Sequence, residues 1–312
     1  MSARPHSGQL VARLERPTTT EPTRLAIVSD IHLATEGSGT WKVFHRSERH
    51  FRAAVDRVND LAVDGVVIPG DLTRNGRPEE YERFDELAQF DAPTVAIPGN
   101  HDLNTSYDSH EPMSPDQFAR TYTPGSLPFR TTIGGLEIIG LNSHGATPGE
   151  PPASYAGELS TESLEWLEET LTDGDTDNTI LTVHHNLPAM TALYERYRSA
   201  LPMQGMVPGF ENPEPLVELL GAYNVPLTIT GHLHFPALVD MDGVRELTVP
   251  AVSSFPHAIL LAEIDQEGTT IWQLPLTDDA GLVESIAHGY EKDRVLLAAA
   301  QVARMPFCTE WE

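Results

Sequence analysis

The 312-residue chain predicts an α/β fold. Three observations carry that expectation. Short apolar runs alternate with helical patterns from Leu25 onward. The later runs follow one another with only turns between them, which adds an antiparallel portion. Five of the runs end in Asp, Asn or His, three of them directly after Gly.

In chain order, Met1 to Thr23 closes with Pro17-Thr18-Thr19-Thr20-Glu21-Pro22, and residues 1–23 read as an N-terminal extension and linker. Apolar runs then lie at Leu25–Ile31, Val66–Ile68, Thr94–Ile97, Leu136–Leu141, Thr179–Val183, Leu227–Thr230, Glu246–Val252, Ile259–Ile264 and Thr270–Leu274. Between the first two, Phe51, Ala54, Val55, Val58 and Leu61 recur at helical spacing after Ser47, a candidate N-cap. Tyr81, Phe84, Leu87 and Ala88 repeat that pattern after Pro78, and Ser160 opens a third helix through Leu164, Leu167 and Leu171. Leu103–Arg130 and Leu187–Pro215 read as long irregular stretches, the kind that serve as binding loops or lids. The expected catalytic domain is 24–275. A helical tail fills 276–312, with one or two helices between Gly281 and Ala303 that pack on the domain or on a partner.

Acidic residues outnumber basic ones 46 to 20, for a net charge of −26, and only Lys42 and Lys292 are lysines. Such a surface disfavours a general nucleic-acid or anionic-membrane binder. It also predicts adaptation to molar salt, where a Debye length of ~3 Å screens self-repulsion. One cysteine, Cys308, excludes an internal disulfide and a thiolate metal cluster and fits a reducing cytoplasm. No run approaches the ~18 apolar residues of a membrane span, and no signal-like core opens the chain. The expectation is a soluble cytoplasmic protein.

Chemistry concentrates where the runs end. Ser29 is followed by Asp30-Ile31-His32, Gly70 by Asp71, Gly99 by Asn100-His101-Asp102, Val183 by His184-His185, and Gly231 by His232-Leu233-His234. Ligands of open α/β sheets bind beyond the carboxyl ends of the strands. The repeated Gly allows a sharp turn and close approach there. The i, i+2 spacing of Asp30/His32 and His232/His234 puts each pair on one side of an extended segment. One site thus collects carboxylates, an amide oxygen and imidazoles, a donor set for two divalent transition metals such as Mn, Fe or Zn. Asp71, alone on its strand, is the natural bridge. Two such ions leave the centre net positive inside an acidic protein, ready for a phosphate.

This series resembles the five-motif signature of the calcineurin-like metallophosphoesterases over about residues 25–235. Leu141-Asn142-Ser143, Gly157-Glu158-Leu159 and Leu164-x-Trp166-Leu167 are similar to the class III cyclic nucleotide phosphodiesterase branch. The resemblance implies a four-layer fold, two facing mixed β-sheets flanked by helices. It implies that Asp30, His32, Asp71 and His234 hold one metal, and Asp71, Asn100, His184 and His232 the other. His101 would contact the phosphate and protonate the leaving oxygen, with Asp102 orienting its ring. The implied activity is in-line attack of a metal-bridging hydroxide on a small phosphodiester, a cyclic nucleotide or glycerophosphodiester, with phosphomonoesters as further candidates. A DNA-processing nuclease and a non-catalytic metal-binding scaffold are the alternatives, and a homodimer is compatible with the chain.

Departures narrow the branch. Arg74 stands where a purple acid phosphatase carries its tyrosine ligand, and Gly70-Asp71-Leu72-Thr73-Arg74-Asn75-Gly76 lacks the Asp-Arg-Gly ending of the protein Ser/Thr phosphatases. The common His-His-Pro run becomes His184-His185-Asn186-Leu187-Pro188, with the first histidine read as the ligand. His185 reads as a supporting or core histidine. His144 reads as pocket lining or, more simply, a surface-loop histidine. His45, His50, His110 and His257 are expected on the surface or in loops. Tyr194, Tyr197, Met203 and Met206 could form a lid or pack within their own segment.

Overall fold

A period of two along the strands, with both faces apolar, sets the architecture. Leu25 and Ile27 enter one buried cluster while their neighbours Ala26 and Val28 enter another. Ile138 and Ile180 likewise face inward while Ile139 and Leu181 face the opposite way. Strands buried on both faces need a layer on each side.

The computed structural model describes residues 7–103, 110, 113–144, 156–174, 176–201 and 209–311. The first half runs β1 (Gln9–Leu14), β2 (Thr23–Ile27), α1 (Ser47–Leu61), β3 (Gly65–Ile68), α2 (Pro78–Leu87), β4 (Thr94–Ala96), α3 (Pro115–Tyr122), β5 (Phe129–Ile133) and β6 (Leu136–Gly140). It continues with α4 (Thr161–Thr172), β7 (Thr179–Thr182), α5 (Pro188–Arg196), α6 (Glu214–Ala222) and β8 (Leu227–Thr230). The last part is β9 (Ala237–Met241), β10 (Val244–Thr248), β11 (Ala258–Ile264), β12 (Thr269–Pro275), α7 (Asp279–Gly289), α8 (Asp293–Val302) and β13 (Cys308–Thr309).

Two mixed sheets result, one of seven strands in the order β13-β1-β12-β11-β2-β3-β4 and one of six in the order β5-β6-β7-β8-β10-β9. Leu25, Ile27, Val67 and Leu260 of the first meet Ile138, Ile180, Ile229 and Leu247 of the second in the core between them. Helices α1 and α2 cover the outer face of the first sheet through Phe51, Ala54, Val58, Tyr81 and Phe84. Helices α4 and α6 cover the second through Leu167, Leu171, Leu216 and Leu220. The four layers place the carboxyl ends of β2, β3, β4, β7 and β8 together at one edge of the sandwich.

Two expectations change and two open alternatives are decided. Residues 9–14 are not linker: β1 pairs with β12 and with β13, so residues 9–14 and 308–309 are built into the seven-stranded sheet. A six-residue run containing Arg13, next to a Pro/Thr-rich segment, gave too little contrast to mark that strand. The two irregular stretches hold helices: α3 starts at Pro115 behind a Ser114–Gln117 capping box, and α5 starts at Pro188, proline being favoured at a first helical position. The tail packs on the domain through Val295, Leu297 and Ala298 of α8, which meet Met190, Leu193 and Tyr194 of α5. Tyr194 is therefore core, while Met203 and Met206 lie outside the described residues.

Candidate metal centre

The strand-end residues do not converge as extended i, i+2 pairs. Asp30, His32, Asp71, His232 and His234 all have positive φ, between 42° and 68°. Non-glycine residues visit that left-handed region at a cost of roughly 1–3 kcal/mol each and persist only where neighbours enforce it. Here the neighbours are backbone hydrogen bonds: Asp30 N–H to Gly70 O at 3.2 Å, His32 N–H to Asp71 O at 2.9 Å, and Gly231 N–H to His184 O at 3.0 Å. The left-handed residues turn the chain so that these side chains meet.

Gly70 and Gly99 make that convergence possible. A Cβ on Gly70, whose φ is +100°, would lie 2.5 Å from His184 Nδ1, and one on Gly99 would lie 2.2 Å from Asp71 Oδ1.

The donors sit close together. His32 Nε2 faces His234 Nε2 at 3.1 Å, and His234 Nε2 faces Asp30 Oδ1 at 3.2 Å. Asp71 Oδ2 stands between two histidines, 3.3 Å from His32 Nε2 and 3.4 Å from His184 Nε2. Asn100 Oδ1 is 3.2 Å from His184 Nε2 and 2.9 Å from His232 Nδ1. Bonds of ~2.0–2.1 Å around a tetrahedral ion separate its donors by ~3.3–3.4 Å. Asp30, His32, Asp71 and His234, all buried, therefore fit a metal ion in separation as well as in donor type.

Several remaining atoms of these groups are held by the protein, as metal ligands generally are, while His32 Nδ1 is buried with no hydrogen-bond partner among the described residues. His101 N–H donates to Asp71 Oδ1 at 2.9 Å, leaving Oδ2 for the cluster. Ser29 Oγ–H donates to Asp30 Oδ2 at 2.6 Å, His184 Nδ1–H to Pro69 O at 2.7 Å, and His234 Nδ1 meets Ser254 Oγ at 2.9 Å.

Electrostatics prepare the same donors. Burial holds His32 and His232 far below the usual imidazole range and His234 at about 4, so each is neutral with a lone pair to give. Burial works against the Asp71 charge, yet His184, His101 and His32 hold its carboxyl well below the usual range. Burial also disfavours protonated His184, but Asp71 at 3.4 Å lifts it to about 9.

Seven sequence-derived residues, Asp30, His32, Asp71, Asn100, His184, His232 and His234, thus meet in one cluster, with His101 at its rim. His185 packs beside the cluster, with ring centroids 4.9 Å from His232 and 5.2 Å from His184, and its Nδ1 lies 2.8 Å from Ser143 Oγ. Asp102 does not orient His101. Its carboxylate accepts from the N–H groups of Leu72 (3.2 Å), Thr73 (3.0 Å) and Gly99 (2.9 Å) and from Thr73 Oγ (3.0 Å), tying the β3 and β4 loops together. His101 Nδ1–H donates instead to Arg74 O at 2.6 Å, which turns Nε2 toward the site. His144, His50 and His257 are buried rather than on the surface. His144 lies alongside His185 with 6.5 Å between ring centroids, and the His50 and His257 rings meet at 4.1 Å, tilted by 45°. His110 is half-buried and His45 exposed.

Four contributors were invisible in the strand-end pattern. Lys42 Nζ lies 3.1 Å from His32 Nε2 and 3.3 Å from His101 Nε2, and burial brings its ammonium down to about 7. Its scarcity, one of two lysines, was the available signal. Trp41 packs on His234 with 5.0 Å between ring centroids. Arg294 of α8 donates to His232 O at 2.9 Å. Asn186 Nδ2 lies within hydrogen-bond distance of Thr230 Oγ (2.7 Å), Glu246 Oε1 (2.9 Å) and Thr248 Oγ (2.8 Å), fastening the ends of β8 and β10 behind His184.

The sequence profile of the calcineurin-like phosphoesterases matches residues 23–236, a span that contains every one of the seven cluster residues. The chain belongs to that family. It is 28% identical over 249 residues to the 3',5'-cyclic adenosine monophosphate phosphodiesterase CpdA of Escherichia coli, covering 75% of this chain and 78% of the relative. It is 31% identical over 211 residues to a probable glycerophosphodiester phosphodiesterase, GpdQ, of Arcobacter nitrofigilis, covering 66% of this chain and 70% of the relative. The fold matches a dimetal phosphatase from Danio rerio with a TM-score of 0.62 at 16% identity, over 83% of this chain and 98% of that one. The protein is a metal-dependent phosphoesterase, with the resemblance to cyclic nucleotide phosphodiesterases borne out among its relatives. None of its described helices is long and apolar enough to cross a membrane.

Proposed function

We propose that the protein hydrolyses a small phosphodiester, of the cyclic nucleotide or glycerophosphodiester kind, at a centre of two divalent metal ions. The observation that carries this reading is the position of Asp71 Oδ2, 3.3 Å from His32 and 3.4 Å from His184, between two groups of donors. Asp30, His32, Asp71 and His234 would hold one ion, and Asp71, Asn100, His184 and His232 the other. Bound there, a pair of dications such as Mn, Fe or Zn would polarise the phosphoryl oxygens and activate water for in-line displacement.

The chain's own residues supply the rest. Left-handed backbone at five ligands fixes their directions before substrate arrives, so little reorganisation is needed on binding. His101, with Nδ1–H committed to Arg74 O, presents Nε2 to the site. Lys42 Nζ stands 3.3 Å away. In this reading the leaving oxygen receives its proton from the Lys42–His101 pair, and the Lys42 ammonium adds a cation that faces the phosphate. The relatives' cyclic nucleotide and glycerophosphodiester substrates, and a surface of net charge −26 that repels long polyanions, support a small diester over a nucleic acid.

The test is a substrate panel with Mn²⁺ at high salt: cyclic nucleotides, glycerophosphodiesters, phosphomonoesters and single-stranded DNA, with metal content measured on the same sample. Turnover of a small diester by protein holding two ions is expected. Preferential cleavage of DNA, or protein that takes up no metal and turns over no diester, overturns the reading.

A further inference from the structure

A second group of metal-type donors lies outside the centre, on the surface where α7 meets the segment leading into α1. His45 Nε2 is 2.8 Å from Glu284 Oε1, and His288 completes a set whose donor atoms all lie within 4.8 Å of one another. Glu284 and His288 are four residues apart on α7, so they share one face of the helix. His45 comes from the short 3-10 turn Phe44–Arg46. The His45 and His288 rings stand 5.3 Å apart between centroids.

Two features suit this group to an ion beside the Arg46–Glu284 ion pair. A Cβ on Gly39 would lie 2.5 Å from His45 Nδ1 and 3.1 Å from His288 Cε1, so bare backbone lets both rings close in at that point. Arg46 Nε donates to both oxygens of Glu284 and Arg46 Nη2 donates to Oε1, all at 3.3 Å, which holds the carboxylate turned toward His45. Two imidazoles and one carboxylate form a donor set that suits a borderline ion such as zinc, with water in the remaining position. Bringing donors within 4.8 Å to the ~3.3–3.4 Å of a bound ion needs shifts of about 1 Å in exposed side chains.

We propose that His45, Glu284 and His288 form a separate site for a transition-metal dication of the zinc type, which clasps α7 to the segment that carries Trp41 and Lys42 into the catalytic centre. That segment is short. Trp41 packs on His234 and Lys42 reaches His32 and His101, while three residues further on His45 is at the clasp. An ion there fastens the segment from outside without touching the phosphate site.

Equilibrium dialysis of the full chain against Zn²⁺, followed by metal analysis, tests the proposal. The His288→Ala and His45→Ala variants, both at exposed or half-exposed positions, are expected to retain one equivalent less than the parent protein. Gly39→Ala, which crowds both rings, is expected to weaken the same equivalent. Asp71→Asn, which damages the catalytic centre alone, is expected to keep it. Hydrogen exchange adds a second readout: saturating Zn²⁺ should slow the amides of residues 40–46 in the parent protein and not in His288→Ala. Equal zinc stoichiometry in the parent protein, His45→Ala and His288→Ala overturns the proposal, as does slowing that survives His288→Ala.

Discussion

At Lys42 and His101 two side chains of the same rim do different work, and substitution separates them. Neither stands among the seven donors, so removing either leaves metal content near that of the parent. His101→Ala takes away the ring that carries a proton to the leaving oxygen, and kcat is expected to fall by about 10²–10⁴-fold, the usual worth of a positioned acid or base. Lys42→Met removes a cation facing the phosphate and is expected to cost about 10²-fold in kcat/KM. Steady-state kinetics with metal analysis on the same samples checks both; loss of an ion from either variant would place that residue among the ligands. Most of the site was legible residue by residue because a strand end followed by Asp, Asn or His is a local pattern. Lys42 was not legible, because nothing local to Trp41-Lys42-Val43 says that the segment folds back over His32. The role expected of Asp102 failed for a related reason: adjacency to His101 in sequence suggested a partnership, while the amides of Leu72, Thr73 and Gly99 claim the carboxylate. The buried pair His50 and His257 brings a pH prediction. Burial lowers His257 to about 4 and His50 to about 3, so the fold binds both neutral. A histidine depressed in the folded state stabilises above its unfolded value of ~6.5 and loses that contribution as pH falls. For His257 the loss amounts to about 3 kcal/mol between pH 6.5 and 4. His257→Asn keeps a donor for Val252 O and tolerates the φ of 49°, yet cannot titrate. Its acid-unfolding midpoint should lie below that of the parent; a midpoint at higher pH would remove His257 from the acid response.

Elements matter here through their ends. The strands β2, β3, β4, β7 and β8 were legible as apolar runs because sheets buried on both faces read as unbroken hydrophobic sequence. The strands at the margins were harder. β1, β5 and β9 mix buried, half-exposed and exposed residues over five or six positions with no regular alternation, and β13 is two residues long, so none stands out from a loop. Helices α3 and α5 hid behind prolines that opened them. What the strand ends achieve depends on backbone proximity between β3 and β4, and Gly99 controls it. Gly99→Ala puts a methyl group 2.2 Å from Asp71 Oδ1 and 2.5 Å from the Asp71 backbone N, inside any real contact. The carboxylate that joins the two donor groups must move. Metal content and turnover are expected to drop together, with kcat/KM down at least ~10²-fold, the penalty for displacing a catalytic group by about 1 Å. Far-ultraviolet dichroism should stay unchanged, since β3 and β4 end before the clash. Parent-level turnover in this variant would mean that Asp71 does not need its observed place.

For the whole molecule the question is how a protein with net charge −26 keeps two sheets and eight described helices together. The pairs that basic residues form are mostly half-exposed, such as Arg46 with Glu284 at 3.3 Å and Arg52 with Glu48 at 3.0 Å, and pairs of this kind contribute ~0–1 kcal/mol each. With 46 acidic residues against 20 basic ones, 26 carboxylates exceed what the basic residues can neutralise. Salt weakens the attractive pairs and the repulsions together, and the repulsions are the larger set, so their sum decides the sign. Screening falls from a reach of ~10 Å at 0.1 M to ~3 Å at 1 M, which removes most repulsion between neighbouring surface carboxylates while leaving the buried clusters untouched. The urea midpoint is therefore expected to rise steadily as KCl goes from ~0.1 M to ~1 M and beyond, with the slope of the transition unchanged, because the surface exposed on unfolding is the same. Screening acts through ionic strength, so replacing KCl by sucrose at matched osmolality should not reproduce the gain. A midpoint that is highest in dilute buffer would show that this acidic surface carries no net self-repulsion, and adaptation to molar salt would lose its physical basis.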